Sequence, residues 1–175
     1  MRGEEVGLPE RTASAVPLPA ELPMMEPKEI TLSIQRLPEA QDLPLPSYAT
    51  EGAAGFDLYA AIPDSITLLP MERRKIPTGL RMAIPAGYEG QIRARSGLAL
   101  QKGLGMVNAP GTIDSDYRGE IAVLIINWSD EPQTIRRGER IAQMVIAPVI
   151  RAQLQETATL QETVRGSGGF GHTGT

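Results

Sequence analysis

The chain contains no cysteine and a single histidine, His172, which lies in a glycine-rich tail. Without cysteine there is no disulfide framework, and no redox compartment is indicated. A structural Cys/His zinc site is excluded, as is zinc-dependent deamination of nucleobases. A Ser-His-Asp triad would have to take its base from the last few residues, which argues against that chemistry. Aromatic residues make up only 4% of the chain, so each ring needs a reason. No apolar run approaches the roughly 20 residues of a membrane span, so no membrane partner is expected. The N-terminus lacks an apolar signal core and carries Glu4, Glu5, Glu10, Glu21 and Glu26. This composition fits neither a signal peptide nor a transit peptide, and a cytoplasmic location is expected. A basic excess is also missing: the net charge of -4 disfavours nucleic acid as a partner. If the chain is an enzyme, its chemistry falls to carboxylates, arginines and a hard metal ion.

At 175 residues, 41% hydrophobic and 22% charged, the chain is long enough for one domain with a real core. Pro9, Pro17, Pro19, Pro23 and Pro27 forbid a continuous helix, so 1–28 is expected to be a disordered arm. That arm is either a spacer or a segment preceding a native start at Met24 or Met25. The domain proper is expected over 29–164, and 165–175 is a flexible Gly-rich tail. Alternating apolar and polar residues predict strands at 29–35, 56–60, 65–69, 73–84, 88–95, 121–128, 133–136 and 141–150, separated by Pro and Gly. Many short strands without a βαβ rhythm point to an all-β antiparallel sandwich or barrel. One short helix is predicted at 96–101, with Ser96 as N-cap and Gly103 as stop. The run Ile121-Ala-Val-Leu-Ile-Ile126 is apolar almost throughout, which suggests burial on both faces and contact with another subunit.

Five segments carry candidate chemistry. In Gly111-Thr-Ile-Asp-Ser-Asp-Tyr-Arg-Gly119, Asp114 and Asp116 share one face if the chain is extended, whereas a turn at Ser115 would separate them. Unpaired carboxylates are costly to bury, so this pair beside Tyr117 suits a polar ligand with a metal ion. Arg95-Ser-Gly-Leu98 opens the predicted helix, where outward N–H groups, a glycine, a hydroxyl and a guanidinium suit a phosphate. The same tetrapeptide also reads as an ordinary helix start with a surface arginine. Asp57, in an apolar frame, is either a turn acceptor or an orienter of metal-bound water. Gln143 begins the last long apolar strand. Arg165-Gly-Ser-Gly-Gly-Phe-Gly171 lacks the Lys-Ser/Thr ending of a P-loop. It is either a frayed end or an arm that wraps a ligand, with Arg165 on phosphate and Phe170 on a base.

Taken together and in order, AAGFDLYA, RARSGLAL, GTIDSDYRGEI, GERIAQMVI and RGSGGFGHTG resemble the five motifs of the trimeric dUTPase family. The resemblance covers residues 30–175. It implies a jelly-roll-like β barrel, a homotrimer whose sites are shared between subunits, and Mg2+-dependent hydrolysis of dUTP to dUMP and pyrophosphate. It also implies a role for each matching residue. Asp114 would activate the water that attacks the α-phosphorus. Tyr117 would pack under the deoxyribose and exclude a 2'-hydroxyl. Arg95, Ser96, Gly97 and Gln143 would bind phosphates. Arg165 would clamp the γ-phosphate, with Ser167 in the same tail, and Phe170 would cover the uracil. Asp57 would act on Mg2+ through its water shell, which suits an ion that dehydrates reluctantly. A hairpin over 103–114, with Asn108 and the backbone of Thr112 and Ile113, would read uracil by donor–acceptor pattern. Asp116 is expected to pair with Arg118 or Arg140, while His172 stands where many relatives have a small hydroxyl residue. Two rival readings are a dCTP deaminase and a non-catalytic nucleotide-binding protein on the same scaffold. The first needs a carboxylate near the base, and 103–113 has none.

Overall fold

In the computed structural model the described residues are 29–169. The fold below is that of the unit that begins at Thr31. Ten strands form in the order β1 (Ser33–Arg36), β2 (Phe56–Tyr59), β3 (Ile66–Leu68), β4 (Arg73–Ala83), β5 (Tyr88–Arg93), β6 (Leu104–Met106), β7 (Gly111–Ile113), β8 (Ile121–Asn127), β9 (Gln133–Ile135) and β10 (Arg140–Pro148). A 3-10 turn spans Pro38–Ala40, and the single helix α1 spans Ser96–Lys102.

All the pairings are antiparallel. One sheet has the order β1-β4-β8-β6, a second β2-β10-β5-β7, and β3 pairs with β9. Ile76, Val123, Ile125 and Met82 from the first sheet share one buried core with Leu58, Ile92 and Met144 from the second and Leu68 and Ile135 from the third. The strands are therefore layered as a sandwich of the jelly-roll type, and among the described residues no sheet closes on itself as a barrel. Each sheet buries one face, and the period of two along a strand puts polar residues on the other. β2 is the plainest case: Phe56 and Leu58 are buried, while Asp57 and Tyr59 face outward.

Several sequence expectations change in detail. The segment 103–114 is not a ladder-paired hairpin, because β6 pairs with β8 in one sheet and β7 with β5 in the other. Its two halves are only three residues each, too short to show a strand period against the turn residues between them. α1 begins as predicted, but its N-cap is Arg95 and no side chain caps it. Gly103 does end the helix, in the left-handed conformation, with its N–H on the carbonyls of Ala99 and Leu98. β8 is buried at Ile121, Val123, Ile125, Ile126 and Asn127, while Ala122 and Leu124 are half-buried on the outer face. Asn127, fully buried, ends the strand: its amide donates to Leu68 O and Glu131 O and accepts from Ser129 N and Oγ.

Candidate active site

Strand register builds one half of the site. On the outer face of the second sheet, Asp57 stands opposite Gln143, and Gln143 opposite Arg93. β5 then runs out of the sheet into Arg95 and α1. The result is an open cavity of about 330 Å3, lined by Asp57, Arg95, Ser96, Gly97, Arg140 and Gln143 among others. Asp57 is held between two guanidiniums, Arg95 Nε at 2.9 Å and Arg140 at 3.1 Å. Arg95 also donates to the carbonyl of Arg140, and Gln143 to that of Ala94. The side chains of Arg95 and Asp57 are mostly shielded from solvent, which strengthens their mutual attraction relative to a surface pair. Gly97 has open space where a side chain would stand. The fold itself does not require a glycine there, and the first-turn N–H groups of α1 have no side-chain cap. This half of the site is a basic, donor-rich recess suited to phosphate oxygens.

The other half lies along β7 and the turn that follows it. A cavity of about 270 Å3 is lined by Asn108, Thr112, Ile113, Asp114 and Tyr117, together with Lys75 and Glu120. β7 ends at Ile113, and Tyr117 N–H bonds back to Asp114 O, so Asp114 and Asp116 sit on a turn rather than sharing a strand face. Arg118 closes this turn by donating to the carbonyls of Ser115 and Tyr117. Asp116 therefore does not pair with Arg118, and Arg140 is committed to Asp57. The Tyr117 ring folds back over Gly119, where a Cβ would lie 2.3 Å from the phenol oxygen. Its hydroxyl donates to Glu120 O at 3.0 Å.

The two halves are separate on one chain. Asp57 and Asp114 lie at opposite edges of a four-stranded sheet and at different heights along it. Strand spacing and rise put them roughly 20 Å apart. A carboxylate–water–metal relay spans only about 5 Å, so these two carboxylates of one chain cannot flank one metal-bound phosphate. Arg165 and Ser167 line neither half; Arg165 Nε donates to Gly168 O in an exposed turn. Phe170 and His172 lie outside the described residues, as does the arm over 1–28. Among the described residues no cluster of three or more Asp, Glu or His is placed to hold a metal ion. A metal ion at this site would take its direct ligands mainly from elsewhere, and Asp57 is the carboxylate placed to face its water shell. Glu120 and Lys75 carry no local signal of a site role, and Arg140 was expected beside Asp116 rather than Asp57. Only the register that sets Asp57 beside β10, and the packing of β4 beside β8, bring them in.

Comparison with known proteins gives a consistent result. A profile of the dUTPase family matches residues 41–174. Deoxyuridine 5'-triphosphate nucleotidohydrolase of Methylocella silvestris is 61% identical over 153 residues, covering 86% of this chain and 94% of that protein. Among solved structures, a mutant dUTPase of Staphylococcus bacteriophage 80alpha with dUpNHpp superposes with a TM-score of 0.74 at 26% identity, over 83% of this chain and 99% of the other. A mutant dUTPase from phage phi11 of S. aureus, whose structure concerns coordination of a structural Mg(II) ion, gives a TM-score of 0.63 at 25% identity, over 74% and 98%.

Proposed function

The chain belongs to the dUTPase family and hydrolyses dUTP to dUMP and pyrophosphate, and we propose that it does so by water attack on the α-phosphorus with Asp114 orienting the water. The observation that carries this assignment is the groove in which Asp114, Tyr117, Asn108 and the β7 backbone meet. Water adds to the α-phosphorus as the bond to the bridging oxygen of the β-phosphate breaks. The proton leaves on Asp114, and pyrophosphate departs with the bond electrons. A carboxylate is a weak base, but positioning and charge neutralisation dominate phosphoryl transfer.

Asn108 and the backbone of Thr112 and Ile113 present donors and acceptors for uracil, and cytosine would leave them mispaired. Tyr117 packs against the deoxyribose. Arg95, Ser96, Gly97 and Gln143 bind phosphate oxygens, and Asp57 accepts from metal-bound water. Asp57 would hold Mg2+ through its water shell, and the ion, when bound, would supply charge neutralisation at the phosphates. Arg165, Ser167 and Phe170 belong to the arm that closes over the nucleotide. Because the halves stand roughly 20 Å apart on one chain, the working site joins the Asp114 half of one copy to the Asp57 half of another in a homotrimer. The extended segment after β10 supports this reading, since Ile150 is 96% and Leu154 93% exposed on the isolated chain. We place the trimer in the cytoplasm. The family match favours hydrolysis over deamination or mere binding.

Pyrophosphate release measured with dUTP, dCTP, dTTP and UTP, with and without Mg2+, tests the proposal. Fast release only from dUTP with metal is expected. D114N should bind dUTP as wild type does and lose at least about a hundredfold in turnover. Normal turnover in D114N would remove Asp114 from the mechanism.

A further inference from the structure

The Tyr117 ring owes its position to a residue outside the assigned contacts. Its hydroxyl donates to the backbone carbonyl of Glu120 at 3.0 Å. Gly119, directly under the ring, has no side chain to restrain the backbone there. The Glu120 peptide is tied into β8 on its C-terminal side, where Ile121 pairs with Leu80, and needs a second tie to fix its tilt. The Glu120 carboxylate supplies that second tie: Oε1 accepts the N–H of Gly79 at 2.9 Å in a part-buried setting. Gly79 lies in the bulge of β4 between Pro77 and Leu80, at φ +66, where a Cβ would lie 2.2 Å from that of Ala40. The bulge cannot drift, because buried Thr78 next to it donates to Ile121 O at 2.6 Å. Glu120 is thus bolted to a rigid part of β4, more than forty residues away in sequence.

We propose that Glu120 is a positioning residue for sugar selection. Its carboxylate, anchored on Gly79, holds the carbonyl that sets the height of the Tyr117 ring, and that height decides whether a 2'-hydroxyl fits. This rests on the reading of Tyr117 as the surface against the deoxyribose. A charge-assisted hydrogen bond to a backbone N–H is among the stronger polar contacts. Without it, the Gly119–Glu120 backbone is held only from its β8 side, at Ile121, and the carbonyl under the ring can tilt and carry the ring with it.

The test is kcat/KM for dUTP and UTP, with melting temperature, for wild type, E120A, E120Q, Y117F and the E120A/Y117F pair. E120A is expected to lower the dUTP-over-UTP preference about tenfold. E120Q keeps an acceptor for Gly79 N–H and should stay within about threefold of wild type. The double variant should lose no more selectivity than the worse single one, because both break the same hook. If E120A does not fold, E120L keeps the bulk without the acceptor and repeats the test. Loss of thermal stability with unchanged selectivity would overturn the proposal. So would an E120Q that behaves like E120A, which would make the charge itself, not the anchor, the cause. Wild-type protein that releases no pyrophosphate from dUTP would instead defeat the underlying assignment, and the Glu120 role with it.

Discussion

Single side chains divide into those that act by exposure and those that act by burial. Asp114 and Tyr117 are exposed on a turn and free to meet a ligand. Asn127 is their opposite. It is fully buried and uses both amide functions, tying β8 to Leu68 of β3 and to the 129–131 turn. Removing a buried hub strands its partners, which costs more than the bonds are worth when made. N127A is expected to destabilise the fold by about 3 kcal/mol in denaturant unfolding while leaving KM for dUTP unchanged. A loss under about 1 kcal/mol would mean that water replaces the amide. In the sequence, Asn127 was hidden as the polar end of an apolar run. Nothing local distinguishes a hub from a loop asparagine.

Elements hold the site by where they end and what ties their ends down. β5 delivers Arg95 and α1 to the recess lined by Asp57 and Gln143. Gly105 of β6 lets Trp128 lie against the strand, since a Cβ there would stand 2.4 Å from the ring. The loop after β1 is pinned to the turn before β10 by Arg137, which grips Asp42 at 2.6 Å and the carbonyls of Glu39 and Ile62. The hydrogen bond from Arg137 holds the Asp42 carboxyl below its ordinary 3.8. The backbone N–H of Leu69, helped by Arg74, holds Glu72 below 4.5. A lowered carboxylate pKa stabilises the fold above the unfolded value, and that stability is lost as pH falls through the folded one. Melting temperature should therefore fall on acidification below about 4.5, with the Asp42 part lost below about 3.8. R137M should lower the melting temperature at pH 7 and shrink the Asp42 part of the acid-dependent drop. An unchanged acid profile in R137M would show that the pair contributes nothing.

At the scale of the whole molecule, the separation of the two half-sites makes a prediction that no single-chain enzyme would share. Chains carrying D114N and chains carrying R95A should each be inactive alone. Mixed by co-expression, they should recover a measurable fraction of wild-type activity, because some sites would then pair an intact Asp114 half with an intact Arg95 half. No recovery in a mixed assembly of three 18.8 kDa chains would place both halves of each site on one chain. Among the described residues no helix is long and apolar enough to cross a membrane.

Local chemistry was enough to determine the strand count to within the short pieces and the helix stop at Gly103, and to single out Asp57, Asp114 and Gln143, which line the two recesses. Periodicity and turn glycines are written in neighbouring residues, and five ordered motifs carry their own chemistry. Only the tertiary structure decided that β6 and β7 belong to different sheets, that Asp57 is clasped by Arg140, and that Glu120 is anchored on Gly79. Each of these depends on register between strands far apart in the chain. A shift of one residue would turn every side chain to the other face, and no short stretch of sequence records which register the packed core selects.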